Sequence, residues 1–502
     1  MIFPAVFITA VRLFAALLLS LLMCTANASA AATSEPIRIA SKTFSESYVL
    51  AEIATQLLQG NGIAAEHKLG LGGTMIAFEA LRTGAIDVYP EYTGTLIQAV
   101  LGKPNLSRSG LDEELAAMGL MLGVNLGFNN SYAVVLDAKK ASTLGISRIS
   151  DLDSHADLKI GFSLEFLNRG DGWPELQQVY RLPQKPMGIE HALAYSAIAK
   201  GQLDITDAYT TDGELDVYDL TILADDQGYF PRYEAGLLLR DDLSPKVVDL
   251  LLQLEQRLDE DTMRALNRRV AVDKESPASV AAEFLRDSRL VADAVSNAPT
   301  RVSRILRNTG VHLKLTSVAL ILACLTALPL ALFFSRFERL ARSLLYMTGL
   351  IQTIPALALL ALLVPLVGLG QVPAILALFL YSLLPIVRNT LIGIFNVDPL
   401  LKEVATGMGL TANQKLLKVE LPLAMPTIMA GVKTAAIISI GTATLAAFVG
   451  AGGLGEPIIT GLTLNDHRLI LEGAVPAAAL AVLVELLFEW LERAKIPAHL
   501  RV

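Results

Sequence analysis

The chain has 502 residues, enough for two or three domains, and is 53% hydrophobic but only 18% charged, which points to membrane segments. A net charge of −8 gives no basic footprint for nucleic acid. The two cysteines, Cys24 and Cys324, both fall in apolar stretches, which excludes a disulfide framework in the charged part of the chain. That charged part runs over residues 35–297, and residues 311–492 are mostly apolar.

In chain order, Arg12 is followed by the apolar run LFAALLLSLLM and then by the small-residue stretch TANASAAAT. Residues 1–32 therefore read as a signal peptide, with A-x-A-type sites after Ala28 or Ala30, or as an N-terminal anchor. Met23 stands before Cys24 where a lipoprotein signal needs a small residue, so no lipidation is expected. Either form sends the following domain across the membrane.

Residues 33–297 form the extracytoplasmic domain. PIRIA (36–40) reads as a strand, and the next twenty or so residues as a cap, a helix and a glycine stop. Strands such as AIDVYPEYTGT, SYAVVLD, DLKIGFS and GQLDITDAYT alternate with helical segments, the pattern of βαβ units. Its histidines, His67, His155 and His191, have no metal-ligand spacing, and no G-x-S-x-G nucleophile elbow occurs. SKTFSES (41–47), LGGT (71–74), DVYPEYTGT (87–95), LGFNNSYAV (126–134), FLNRGDGWPELQQVY (166–180), DAYTTDGE (207–214) and FPRY (230–233), in that order, make the domain resemble the substrate-binding proteins of glycine betaine and choline importers. The resemblance implies a two-lobed α/β periplasmic-binding-protein fold that closes on its ligand. Lobe one is expected at 36–138 plus 233–297 and lobe two at 139–232.

A polar linker, 298–310, carries Arg301, Arg304 and Arg307. About five spans follow in the all-α transmembrane domain 311–502, at 311–334, 344–366, 371–395, 427–449 and 469–491, each long enough to cross the hydrocarbon core. Arg336, Arg339, Arg342, Arg388, Arg493, Lys495 and Arg501 fall on one side if the binding domain is outside and the C-terminus inside. Glu485 lies in the fifth apolar run, near its inner end, which favours an interfacial role.

The stretch 398–426 lies between spans but carries Lys402, Glu403, Lys415, Lys418 and Glu420, too many charges for a span. Asp398 with Pro399 starts one short helix, Gly407 and Gly409 break it, and Thr411 with Gln414 starts a second that Pro422 is expected to end. Glu403, Ala405, Gly409, Val419, Leu421 and Pro422 match the spacing of the EAA loop of permease subunits in binding-protein-dependent ABC importers, with Val404 at the middle position instead of alanine. In that family the loop docks on the ATPase subunit, which implies ATPase-docking roles for Glu403, Ala405, Gly409, Leu421 and Pro422. GLIQTIPALALLALLVPLVGLG (349–370) and FLYSLLPIVRNT (379–390) resemble the same family. GAGGLG (450–455) fits G-x-G-x-x-G only formally, because it follows a membrane span and not a strand of a βαβ unit.

No G-x-x-x-x-G-K-[ST] occurs, so the chain holds no cofactor of its own and ATP is used by a partner ABC ATPase subunit. The expected function is the binding-protein and permease component of an ABC importer for glycine betaine- or choline-type osmoprotectants, in a bacterial inner membrane and as a homodimer. Carnitine or ergothioneine on the same scaffold is the alternative ligand, and a membrane ligand sensor the alternative class. A quaternary ammonium offers no N–H donor, so its site recognises charge and methyl shape through aromatic faces. Tyr92, Tyr132, Tyr209 and Tyr233 recur in the matching motifs as such a cage, with Thr95, Asn130 and Arg169 as candidates for a carboxylate or hydroxyl at the other end.

Overall fold

The computed structural model describes residues 35–291 and 300–495, so the signal or anchor expected at 1–32 lies outside them. The chain divides into two compact units.

The first unit has two lobes. In the first, a five-stranded sheet has the order β2 (Ala65–Lys68), β1 (Ile37–Ala40), β3 (Val88–Tyr92), β10 (Glu234–Arg240), β4 (Leu120–Asn129). β1 pairs in parallel with β2 and β3, whereas β10 is antiparallel to β3 and β4. Pro90 is tolerated within this sheet because the β1–β3 ladder is confined to Ile39 and Val88, so the missing N–H removes no bond there. Helix α1 (Ser45–Gly60) is buried almost all round, with Tyr48, Val49, Leu50, Ile53, Leu57 and Leu58 among its buried residues. A helix with that pattern lies inside the core, against the sheet and α5 (Pro277–Asp287). Helix α2 (Thr74–Arg82) follows β2.

The second lobe holds a sheet of order β8 (Ile205–Tyr209), β5 (Tyr132–Asp137), β9 (Leu220–Ile222) and a parallel pair, β6 (Gly161–Ser163) with β7 (Met187–Ile189). Helix α3 (His191–Ala199) precedes β8, and α4 (Glu260–Ala271) lies beyond β10 in the chain. The expected lobe boundary after 138 is corrected: β5 pairs with β8 and β9, so the chain crosses at Asn130–Ser131. β4 and β5 are separated only by Asn130 and Ser131, an interruption too short to signal the crossing in the sequence. The return crossing, before β10, is tied to the first. Asn130 N donates to Tyr233 O at 3.0 Å, and Tyr233 N to Asn129 Oδ1 at 2.7 Å.

The second unit is helical. Helix α6 (Arg301–Phe334) is one 34-residue helix, so the expected linker is helical from Arg301 onward. The span expected at 344–366 is broken into α7 (Glu338–Thr353) and α8 (Ala356–Val367), bent by 94° at Ile354–Pro355. Pro355 lacks the N–H that would continue the ladder, and the residue before a proline is pushed toward an extended conformation. Side chains fill the gap: Tyr381 OH donates to Ile354 O, and Gln352 Nε2 donates to Tyr381 O at 2.8 Å. Helix α9 spans Gln371–Phe395, and α10 spans Pro399–Gly407. Helices α11 (Leu421–Thr442) and α12 (His467–Lys495) complete the unit. Among the described residues four helices are long and apolar enough to cross a membrane, or five spans if the bent pair counts as one. Alanines 323, 327 and 331 of α6 pack against Ile386, Val387 and Leu391 of α9 and Ala435 of α11, small residues that let helices approach closely.

Pro422 does not end the second loop helix. A π-helical turn, Leu416–Glu420, precedes it, and the helix runs on into α11. The widened turn takes up the hydrogen bond and the space that proline removes. Glu485 has Lys433 of α11 at 4.0 Å, a charge within an apolar helix that sequence reading did not pair with it.

Candidate functional site

All seven residues expected at the ligand site line one cavity in the first unit: Tyr92, Thr95, Asn130, Tyr132, Arg169, Tyr209 and Tyr233. Lys42, Phe44 and Glu165 complete it, and its empty space is about 330 Å³, part of it open to solvent. The elements explain the meeting. Tyr92 ends β3, Thr95 follows on the short helical turn Thr93–Thr95, and Asn130, Tyr132 and Tyr233 sit on the two crossings. Tyr209 ends β8, and Arg169 follows the short helix Leu164–Asn168.

The rings form a continuous wall. Centroids are 6.3 Å apart for Phe44–Tyr92, 5.9 Å for Phe44–Tyr209, 5.2 Å for Tyr132–Tyr209 and 5.8 Å for the edge-on pair Tyr132–Tyr233. Tyr233 can lie so close to the turn at 93–95 because residue 94 is glycine, where an added methyl would stand 2.4 Å from the ring. Burial pushes all four phenols well above the ordinary tyrosine value, so they present neutral rings.

Two protein cations already lie near these rings. Lys42 Nζ is 5.1 Å from the centroid of Tyr92 and 5.5 Å from that of Phe44, and the Arg169 guanidinium carbon is 5.6 Å from that of Tyr132. Each is partnered: Lys42 with the fully buried Glu91 at 2.7 Å, Arg169 with Asp171 through a two-pronged pair at 2.7 and 2.5 Å. Burial works against the charge of Arg169, but Tyr132 and Asp171 together hold its pKa above the ordinary arginine value. Lys42 and Arg169 supply donors of the kind a carboxylate accepts, at the edge of a wall whose faces suit a cation.

A second layer fixes the wall. Glu46, in the first turn of α1, accepts from Tyr92 OH at 2.5 Å, Thr211 Oγ1 at 2.5 Å, Asn267 Nδ2 at 2.7 Å and Asn130 Nδ2 at 2.8 Å. Burial pushes the Glu46 carboxyl pKa up, and the four donors, with the positive end of the α1 dipole, pull against it. Asn130 thus spends one of its two amide N–H donors on Glu46. Its Oδ1 is buried with no partner among the described residues, which fits it to accept from a ligand hydroxyl.

Sequence reasoning missed Lys42, Phe44, Glu46 and Glu165. Three of them stand within SKTFSES, a stretch that carried the resemblance, where Lys-x-Phe was the available signal.

The loop residues do not share one surface. Glu403 is exposed, with Val404 and Met408 exposed beside it, but Ala405 is buried, and Leu421 packs on Ile394, Leu416, Ala424 and Ile428. Ala405 is the buried position of α10, and Leu421 and Pro422 belong to the start of α11. Asp398 caps Leu400 N at 2.8 Å, and Thr411 and Gln414 form a capping box. Gly409 stands at φ +78°, a left-handed conformation that glycine adopts without strain.

Comparison with known proteins adds the following. Residues 35–287 match the family described as the substrate binding domain of ABC-type glycine betaine transport systems. Residues 319–497 match the binding-protein-dependent transport system inner membrane component. Over 202 residues, 40% of this chain and 93% of the relative, the chain is 43% identical to the glycine betaine/carnitine/choline transport system permease protein OpuCB of Bacillus subtilis (strain 168). Over 262 residues, 50% of this chain and 47% of the relative, it is 32% identical to the ergothioneine transport permease/ergothioneine binding protein EgtU of Helicobacter pylori (strain G27). A crystal structure of a glycine betaine/carnitine/choline ABC transporter is similar at 25% identity and a TM-score of 0.45, covering 51% of this chain and 99% of that one.

Proposed function

Because the chain belongs to the family of ABC-type glycine betaine substrate-binding domains, joined in one polypeptide to a binding-protein-dependent inner membrane component, we propose that it captures a quaternary ammonium osmolyte of the glycine betaine and choline type and passes it through its own permease. It is a membrane transport protein, and an ABC ATPase is its partner. The bacterial inner membrane, an extracytoplasmic binding domain and a pair of these chains with two ATPase subunits belong to the same proposal, as do docking of the ATPase through Glu403 and the Gly409 bend and a signal at 1–32.

The observation that carries the ligand class is the aromatic wall of Phe44, Tyr92, Tyr132, Tyr209 and Tyr233 around one cavity. A quaternary ammonium is weakly hydrated and cannot donate a hydrogen bond, so ring faces are its natural partners, each contact contributing roughly 0.5–2 kcal/mol. Lys42 and Arg169 lie where a carboxylate joined to that cation would accept from them. A second reading, ergothioneine, draws support from the relative whose printed name joins a permease with an ergothioneine binding protein. Ergothioneine carries the same trimethylammonium and carboxylate but adds a bulky heterocycle.

Calorimetric titration of the full chain in detergent with glycine betaine, choline, carnitine, ergothioneine and the uncharged 3,3-dimethylbutanol decides the class. Binding of glycine betaine or choline with no binding of the uncharged isostere is expected. Equal binding of 3,3-dimethylbutanol, or binding of none of the cations, overturns the reading.

A further inference from the structure

Tyr209 is also touched by a group that does not line the aromatic cavity but shares a neighbouring one with Tyr209 and Phe44. The ring of His191 lies 4.9 Å from that of Tyr209, the planes 40° apart, while Tyr132 and Phe44 meet Tyr209 at the cavity. His191 opens α3, and its Nε2 is 3.0 Å from Asp212 Oδ2, its Nδ1 3.7 Å from Asp207 Oδ2.

Both carboxylates are anchored by other bonds. Asp207 accepts from Ser163 N at 2.6 Å and Ser163 Oγ at 2.7 Å. Asp212 accepts from Tyr195 OH at 2.5 Å and Tyr209 N at 2.7 Å. Two fixed negative charges on one imidazole favour its protonated form. Burial opposes the charge, yet Asp212 and Asp207 carry its pKa well above the ordinary histidine value. The other titratable groups around it are Tyr209 from β8, Tyr195 and Glu190 from α3 and its cap, Glu214 from the turn after β8, and Glu46 from α1.

We propose that His191 is held as an imidazolium against Tyr209 and sets how strongly that ring attracts a cation from the cavity. A positive charge against the ring draws its π density toward itself, so a ligand cation in the cavity meets a weakened ring and a like charge nearby. Ligand binding and the proton on His191 then oppose each other, and by linkage the effect is mutual: deprotonation tightens binding, and binding expels the proton. The inference rests on the cation-binding reading of the cavity given above.

The test is calorimetry of glycine betaine and choline on the full chain in detergent from about pH 6 to pH 10, in buffers of different ionisation enthalpy so that protons released per ligand are counted. In the parent, affinity should rise about two- to fivefold as His191 loses its proton on the alkaline side, the size of one modest cation–π contact, with proton release over the same range. His191→Gln and His191→Phe should bind more tightly than the parent at neutral pH and lose the alkaline part of that release. Burial and Asp212 push the Glu214 carboxyl up to about 7, so Glu214→Gln should remove only the part of the release near pH 7. His191 variants that fold yet bind no more tightly than the parent at neutral pH overturn the proposal, as does a release above about pH 8 that survives in them. Failure of the parent to bind either compound at any pH overturns the ligand class instead.

Discussion

The hydroxyl of Tyr92 donates to Glu46 at 2.5 Å, so a ring that walls the cavity is held from behind by a fully buried carboxylate. Removing the hydroxyl and removing the ring should have different consequences. Tyr92→Phe leaves three donors on Glu46 and keeps the aromatic face. It should cost about 1–3 kcal/mol of stability, as for a lost bond to a charged group, with ligand affinity within about threefold of the parent. Tyr92→Ala should weaken binding by about tenfold or more, equivalent to about 1.4 kcal/mol. Thermal melts paired with titration calorimetry separate the two. Parent-like affinity in the alanine variant removes Tyr92 from the site.

Glu214 gives a pH dependence with a definite sign. Its carboxyl is pushed up to about 7, first by burial and then by Asp212, from an ordinary value of 4.5. An acid whose pKa is raised on folding stabilises the fold in its protonated form. That contribution is complete below 4.5 and is lost as pH rises through about 7. Glu214→Gln should therefore melt at a temperature that changes less between about pH 5 and pH 8 than that of the parent. A variant whose melting temperature falls over this window as steeply as the parent's contradicts the assignment.

Gly409 distinguishes strain from crowding. An added Cβ would meet nothing within 4 Å, so the constraint at φ +78° is the backbone alone. Gly409→Val should cost about 1–2 kcal/mol locally and abolish uptake, while Gly409→Asn, which tolerates the left-handed region better, should retain a measurable part of it. Uptake in cells carrying the partner ATPase is the measurement, with ligand binding unchanged in both variants. Equal uptake by the valine variant and the parent would show that the bend is not required.

Arg304 holds a buried acid in the helical unit. Glu472 is only 4% exposed and pairs with Arg304 at 2.5 and 2.9 Å, with Arg301 at 3.4 Å as a weaker, more exposed neighbour. Arg304→Ala leaves a buried charge short of its main partner and should destabilise the protein by about 2 kcal/mol or more. Arg304→Ala combined with Glu472→Gln should recover most of the loss. Melting in detergent reads both, and a double variant no more stable than the single one argues against the pair.

Much of this was legible in the chain because the signals were local. Tyr92, Tyr132, Tyr209 and Tyr233 stand in short motifs whose order identifies the family, and Asp398, Thr411 and Gln414 act as the caps their types and spacing imply. What failed depends on contacts between distant residues. Asn129 and Asn130 look like an ordinary turn, and only the pairing of β5 with β8, more than sixty residues on, shows a change of lobe. Pro355 and Pro422 are the same residue type, each set at the edge of an apolar run. One breaks its helix by 94° and the other is absorbed by a π-helical turn, a difference set by the backbone before each. Lys42 and Glu46 escaped notice because a charged residue near a helix start usually means a solvated surface, and both are buried.

Tyr233 contributes a ring to the cavity wall and, through its backbone, the bonds that join the two strands passing between the lobes. A door is rarely gripped at its pivot, yet here the ligand would touch the pivot itself. A swing of one lobe against the other turns about the same residue that feels the occupant, so no relay is required to report that the cavity is filled. Loosening Asn129 or Asn130 would then blur recognition and movement together, two properties that a more distant fulcrum would keep apart.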